Sequence, residues 1–329
     1  MKTHRRSLAL ILIVLCLVFA LPYVVPIPNT GTPPEDLVLD GGHFITVDGL
    51  KTYVVERGSP QGIPILFLHG LFGSTFSARY QLQPFADAGY RVIAYDRPGF
   101  GLTDKPYAFR YSLAQQADFA AHVLDALGIP QAIIWGHSAG GAVLTQFALR
   151  HPTRVEQLLI VDGFILGEGQ TKPALSAALS IPPVYRWAQL GVRGWMSEQH
   201  LADVLPNFYA NPADVTPETV RGYWRSFETA NWEHGGLGHF RDATDGQFSE
   251  AQLRSIRARA IVIWGEQDTI TVLADGDRLA TLLPNATLLT ITDAGHLPME
   301  ETPAVFNRMA LHALSTPLST PAAALRATP

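Results

Sequence analysis

Between residues 65 and 291 short, largely apolar runs rich in strand-forming residues recur at 65–68, 92–95, 132–135, 158–161, 260–264 and 287–291, with longer segments of helical period between most of them. A strand covered on both faces is apolar throughout, whereas a strand with one wet face alternates. Six such runs separated by helices predict an α/β fold with a mostly parallel sheet between two helical layers. Helices are expected at 76–88, 112–127, 139–150, 272–283 and 301–314. Ahead of them, 44–47 and 52–56 flank Asp48-Gly49, the signature of an antiparallel hairpin. With 47% hydrophobic residues in 329, the chain can bury the core that such a sheet needs.

The alternation breaks once. Residues 163–252 contain no clear sheet strand but hold Trp187, Trp195, Trp224 and Trp232, four of the six tryptophans. This stretch reads as a helical cap inserted between two parts of a core, 42–162 and 253–314. Its helices are expected at 173–192, 197–205 and 216–231, with breaks at Pro182, Pro183, Pro206 and Pro212. Residues 29–41 read as a linker, and the Ser-, Thr-, Pro- and Ala-rich 315–329 as a disordered tail.

At the amino terminus Lys2, Arg5 and Arg6 precede an apolar run from Leu8 to Ala20 that continues through Pro22 to Ile27. Residues 1–28 therefore read as a membrane anchor or a signal segment, and the uncleaved transmembrane anchor is favoured because an A-x-A cleavage pattern is missing. The cationic flank predicts a catalytic domain on the extracytoplasmic side, or secreted if the segment is cleaved. Lys and Arg total 24 against 29 Asp and Glu, with no basic run, which argues against nucleic acid as a partner. The single cysteine, Cys16, rules out a disulfide framework and a thiolate zinc site.

The chemistry concentrates at 133–141, Ile-Ile-Trp-Gly-His-Ser-Ala-Gly-Gly, where an apolar strand runs into G-x-S-x-G and then into a helical pattern. That context is what a nucleophile elbow requires, with Gly136 and Gly140 leaving room for a strained turn that projects Ser138. A serine hydroxyl needs a base, and the base an orienting acid. The strand at 260–264 ends in Gly265-Glu266-Gln267-Asp268, and the last strand ends in Asp293-Ala294-Gly295-His296. Eleven histidines make a lone one uninformative, so it is the place after the final strand that singles out His296. Asp268 is the expected acid, with Asp162, which also follows a strand, as the alternative. His137 is expected to pack and Asp96 to serve a tight turn.

An acyl-transfer site also needs donors for the oxyanion. The amide of Ala139, next to the nucleophile, supplies one. The second is expected from the loop His69-Gly70-Leu71-Phe72-Gly73-Ser74, from Leu71 with Phe72 as the competitor, while His69 braces the loop. The segment 234–239, His-Gly-Gly-Leu-Gly-His, is a poor metal site and reads as a flexible cap loop. No metal and no cofactor are expected. Phe72, Trp224 and Trp232 are candidate substrate-binding residues, since an aromatic cap suits an apolar group.

Over residues 42–314 the chain resembles the α/β-hydrolase superfamily. The resemblance rests on His69-Gly70, on 96–101 (Asp-Arg-Pro-Gly-Phe-Gly), on 136–141, on 265–268 and on Gly295-His296, five elements in the family's order. It implies an eight-stranded sheet whose second strand is antiparallel, with the cap after the sixth. It also separates reactions. Haloalkane dehalogenases and epoxide hydrolases carry an acidic nucleophile, so Ser138 argues against both. Perhydrolases of the haloperoxidase type usually have proline in the oxyanion loop, and C–C hydrolases tend towards a loop richer in glycine and proline than 71–74. What remains looks like a serine carboxylesterase or lipase-like enzyme acting on a small-molecule or lipid-like ester. The competing readings are a C–C or amide bond hydrolase with the same triad and a ligand-binding receptor on this fold. In the first two, His296 must be neutral to act as base, so activity is expected to fall below about pH 6.5. A pH–rate profile flat down to pH 4 would remove His296 from that role.

Overall fold

The computed structural model describes residues 2–27, 30–165, 173–316 and 325–327. Its first elements are α1 (Lys2–Phe19) and α2 (Leu21–Val24), the second carrying Pro22 in its opening turn. Here the expected transmembrane anchor is corrected: among the described residues no helix is long and apolar enough to cross a membrane. The reason is length. The apolar part of α1 starts only at Leu8 and stops at Phe19, about 18 Å of helix, where a bilayer core needs about 30 Å. A proline-started second helix cannot continue the first in register.

The segment expected as a linker is tied down at both ends. Within the described part of it, a 3-10 turn spans Pro34–Leu37, the Thr32 N–H donates to the Glu228 carbonyl at 2.9 Å, and the Leu39 N–H donates to the Tyr53 hydroxyl at 2.7 Å. Gly31 lies so close to another backbone that a Cβ there would sit 2.3 Å from the Ala230 nitrogen. Proline and glycine signal irregular backbone, which is not the same as untethered backbone.

The sheet follows. β1 (Gly42–Val47) and β2 (Leu50–Arg57) form the antiparallel hairpin around Asp48-Gly49, both of which take positive φ. Then come β3 (Ile63–Leu68), α3 (Leu82–Asp87), β4 (Tyr90–Tyr95), α4 (Leu113–Ala126), β5 (Ala132–His137), α5 (Ala139–Arg150) and β6 (Val155–Val161). After the cap the core resumes with β7 (Arg259–Gly265), α12 (Leu273–Leu282), β8 (Ala286–Ile291), α13 (Pro298–Glu301) and α14 (Pro303–Ser315). The strand order is β1-β2-β4-β3-β5-β6-β7-β8, and only β2 runs against its neighbours. An eight-stranded, mostly parallel sheet flanked by helices is what the apolar runs and the resemblance imply. At the open edge of β8, Leu325–Ala327 add a short ninth strand, β9, within the tail expected to be disordered. An unpaired strand edge offers hydrogen-bonding groups to any extended segment, which composition alone does not reveal. The remainder of that tail, 317–324 and 328–329, lies outside the described residues.

Because side chains of a strand alternate between faces, each apolar run feeds two cores at once. Leu66, Leu68, Ile134, Val262 and Trp264 belong to one, packed with α4 and α5 residues such as Phe119 and Phe147. Ile65, Phe67, Ile133, Trp135, Ile261 and Ile263 belong to the other, with Phe85 and Phe306.

Between β6 and β7, with 166–172 outside the described residues, lie α6 (Pro173–Leu179), α7 (Pro182–Trp195), α8 (Glu198–Val204), a 3-10 turn at Leu205–Phe208, α9 (Pro217–Trp224), a second at Arg225–Glu228, α10 (Glu233–Asp242) and α11 (Glu250–Ser255). The expected helix at 173–192 is two helices, broken before Pro182. The expected flexible loop at 234–239 is also corrected, since it forms the middle of α10. Its glycines let the helix lie flush on the core. A Cβ at Gly235 would meet the Gly99 carbonyl oxygen at 2.1 Å, at Gly236 the Phe72 ring at 2.4 Å, and at Gly238 the Tyr111 ring at 2.2 Å. Glycine ordinarily weakens a helix by about 1 kcal/mol per residue, and close packing here offsets it. On its other side the cap meets the amino-terminal helices: Arg186 and Trp187 of α7 donate to the carbonyls of Pro22, Val25 and Val18.

Candidate active site

β5 ends and α5 begins on either side of Ser138, which takes φ +52° and ψ −125°. The flanking glycines are required by contact. A Cβ at Gly136 would sit 2.7 Å from the Gly140 oxygen, and one at Gly140 would sit 2.0 Å from the Leu68 oxygen. Ser138 Oγ is half-exposed and lies 2.9 Å from Nε2 of His296. The Nδ1–H of that histidine donates to Asp268 Oδ2 at 2.8 Å, so the three residues singled out from sequence meet in one chain of hydrogen bonds.

Asp268 follows β7 and His296 follows β8, both at the same sheet edge as the end of β5. Burial alone would raise the Asp268 pKa, but the bonds from His296, from the Thr271 hydroxyl at 2.6 Å and from the Ile270 N–H at 2.7 Å outweigh it and hold the carboxyl below its usual range. Thr271 was not legible as part of the site. A hydroxyl three residues past the acid, in an otherwise polar loop, was the available signal. His137 does more than pack: its Nε2–H donates to the His296 carbonyl at 2.8 Å, and burial pushes its pKa down to about 3, which keeps the ring neutral.

Asp162 is fully buried and takes φ +43° at the end of β6. Its Oδ1 accepts from the Gly265 N–H at 2.9 Å, and His296 is not among its partners. Burial, then the neighbouring Asp268 charge, raise its pKa well above the carboxylate range. A neutral acid beside an ionised one is how two adjacent carboxyls divide the work.

The loop after β3 is braced from below. Gly73 N–H closes on the Gly70 carbonyl at 3.2 Å, which carries Leu71 and Phe72 over the turn, Phe72 with φ +56°. The His69 Nδ1–H also donates to that carbonyl at 2.8 Å, while its Nε2 accepts from the Arg97 N–H at 3.0 Å. Burial and the Arg97 charge keep His69 neutral, so its tautomer is set by those two bonds. Arg97, fully buried, reaches the same carbonyl at 3.1 Å and bonds Gln116. Asp96 accepts from the Thr75 and Leu102 N–H groups, both at 2.6 Å, and its burial lifts its pKa to about 6. Segment 96–101 therefore buttresses the loop. Ala139 is the first residue of α5, where an N–H has no intrahelical acceptor.

Of the candidate substrate-binding residues, Phe72 and Trp232 line a small crevice with Phe100, Lys105 and Phe227, and neither Ser138 nor His296 is on its wall. Trp224 is not on its wall and instead stacks on Phe227 with centroids 5.4 Å apart. Among the described residues no group of His, Cys, Asp and Glu could hold a metal ion, His234 and His239 included.

The neutral Asp162 generates a prediction. The folded chain binds a proton there that the unfolded chain has released above about pH 4, so ionising Asp162 costs stability as the pH rises. Asp162→Asn is expected to keep turnover and to match or exceed the parent's melting temperature at pH 8, with the advantage vanishing at pH 4. Asp268→Asn is expected to lose on the order of a hundredfold or more in kcat. The reverse pattern in turnover would make Asp162 the orienting acid.

Comparison with known proteins agrees with this architecture. A family model described as alpha/beta hydrolase fold matches residues 63–303. A 2-hydroxy-6-oxononadienedioate/2-hydroxy-6-oxononatrienedioate hydrolase of Burkholderia vietnamiensis is 32% identical over 76% of this chain and 86% of its own length. An uncharacterized hydrolase of Bacillus subtilis is 28% identical over 78% of this chain and 92% of its own. Among solved structures, a meta-cleavage product hydrolase from Pseudomonas fluorescens superposes with a TM-score of 0.69 and 26% identity, over 83% of this chain and 97% of that one. With its sheet order, its strained serine turn and a family model that spans most of its length, the chain belongs to the alpha/beta hydrolase fold family.

Proposed function

We propose that this hydrolase is a serine enzyme that cleaves carboxylic esters with apolar acyl or alcohol groups. The observation that carries the reading is the unbroken relay from Asp268 through His296 to Ser138, at 2.8 and 2.9 Å. His296, oriented by Asp268, takes the Ser138 proton as Oγ attacks the ester carbonyl. The amides of Leu71 and Ala139 meet the oxyanion, a contribution of about 3 kcal/mol for a well-placed donor. His296 then protonates the departing alcohol, and water, activated by the same base, releases the acid from Ser138. None of these steps calls for a cofactor.

Preference for an apolar group is supported by the rings of Phe72, Phe100, Phe227 and Trp232 in this crevice, whose wall also takes in Lys105, Ser226 and three glycines. The cation among them, Lys105, already donates to the Gly101 and Thr103 carbonyls at 2.8 and 2.9 Å. A second reading, C–C bond hydrolysis, is favoured by the names of two relatives, one acting on a dienedioate and one on a meta-cleavage product. The wall chemistry suits a dicarboxylate less well. Turnover of p-nitrophenyl esters from acetate to palmitate, beside turnover of a ring-cleavage dienone acid, separates the two. Ester hydrolysis lost in Ser138→Ala is expected. Dienone cleavage without ester hydrolysis would overturn the ester reading, and labelling by a fluorophosphonate with neither turnover would favour the ligand-binding one.

For the amino terminus we infer contact with a membrane, with the catalytic domain on the extracytoplasmic side or released there if the segment is cleaved. Cations at Lys2, Arg5 and Arg6 precede apolar side chains that face solvent in α1 and α2, Leu10 at 63%, Ile13 at 56% and Val24 at 75% exposure. An apolar helix with a cationic end suits a lipid interface without spanning it. The full chain is expected to float with phosphatidylglycerol-containing vesicles, and the pair Val14→Asp and Leu17→Asp to abolish flotation. Full-length protein left at the bottom of the gradient would rule the contact out.

A further inference from the structure

His296 sits in a loop between β8 and α13, outside regular secondary structure, so its place depends on what holds its backbone. Four groups do so. Its own N–H donates to the Phe208 carbonyl of the cap at 2.9 Å, and its carbonyl accepts from His137. The N–H groups on either side of it, Gly295 and Leu297, both end on the carboxylate of Glu301, at 2.9 and 3.0 Å. The same carboxylate accepts a third backbone N–H at 2.7 Å, from Ala210 of the cap.

The contact between cap and histidine loop is therefore backbone on backbone. A Cβ at Gly295 would lie 2.7 Å from the Ala210 nitrogen and 3.0 Å from the Phe208 oxygen, which is why the residue before His296 must be glycine. The preceding acid, Glu300, points into a separate buried cluster. Its carboxylate accepts from Tyr209 at 2.9 Å, from Arg79 at 2.7 Å and from Tyr223. Two consecutive acids thus fasten the short α13 to the cap by different routes, one through side chains and one through main chain.

We propose that Glu301 is a positioning residue for His296, and that the cap segment 208–210 completes the cradle, so that seating of the cap sets the catalytic base. Three charge-assisted bonds from one carboxylate to three main-chain donors fix a loop more firmly than neutral ones would. His296 must keep its place 2.9 Å from Ser138 Oγ, because a misplacement of about 1 Å can cost a hundredfold in rate. The inference rests on the reading of Ser138 and His296 as nucleophile and base.

The test is Glu301→Gln in the full chain, which keeps the shape but turns an amide NH2 towards N–H donors. We expect kcat to fall about tenfold to a hundredfold with KM within about twofold. The rate at which a fluorophosphonate labels Ser138 should fall by the same factor. The loss should be equal from acetate to octanoate esters, because the base rather than the pocket has moved. A normal rate per folded molecule with a lowered melting temperature would make Glu301 merely structural, and a KM change that depends on chain length would make it a pocket residue. Either outcome overturns the proposal. If the glutamine variant does not fold, Glu301→Asp, which keeps the charge but cannot reach all three donors, is read in the same way. Should the parent label but hydrolyse no ester, the substrate reading fails while the labelling ratio still decides the role of Glu301.

Discussion

Ser138 stands at φ +52°, a conformation that costs a non-glycine residue about 1–3 kcal/mol, and the turn holds because bonds reach it from several elements. Its N–H donates to the Val161 carbonyl of β6, and its own carbonyl accepts from Gly141 and Phe164. Gly136 of β5 packs on Gly140 of α5 and Gly140 on Leu68 of β3, which leaves no space for the turn to relax. Parallel pairing of β3, β5 and β6 is thus the condition for a half-buried, strained serine. The same pairing brings the ends of β7 and β8, and with them Asp268 and His296, to the edge where Ser138 projects.

Below and above this line the two halves of the chain do different work. Beneath it, buried polar groups brace the loop after β3. His69 and Asp96 direct their hydrogen bonds to main-chain groups, Arg97 divides its own between the Gly70 carbonyl and the Gln116 side chain, and burial of a polar group is tolerable only when it is bonded. Above it, the cap seats itself by close approach. The glycines of α10 rest on Gly99, Phe72 and Tyr111, aromatic rings gather around Phe227, and 208–210 pair with the histidine loop. A cap held through main-chain contact at the base differs from a lid that only covers the pocket, because its position and the geometry of the relay are one variable.

Much of this was legible in the sequence, and the limits have a common cause. The runs at 65–68, 132–135 and 260–264 announced strands buried on both faces, since apolarity along a strand is a local property. Gly136-His137-Ser138-Ala139-Gly140 announced the turn for the same reason, and the places after β7 and β8 singled out Asp268 and His296 once strand order was assumed. By contrast, 234–239 looked like a loop because glycine disfavours an isolated helix, yet it is helical where its glycines meet the core. Residues 30–41 looked loose because they are rich in Pro, Gly, Thr and acids with no apolar period, yet the Glu228 carbonyl of the cap and the Tyr53 hydroxyl bind them. The amino-terminal run looked long enough to span a bilayer until its cations and Pro22 were set against helix geometry.

Sequence by itself determined the class of fold and singled out Ser138 and the order of its hydrogen-bond partners, because apolar periodicity, glycine at strained positions and covalent sequence act over a few residues at a time. Only the tertiary structure decided between Asp268 and Asp162, gave His137 and Thr271 their bonds and brought Glu301 beneath His296. Those outcomes depend on contacts between segments that are far apart in the chain or differently buried, and whether a carboxyl is ionised or neutral follows from which donors packing places around it.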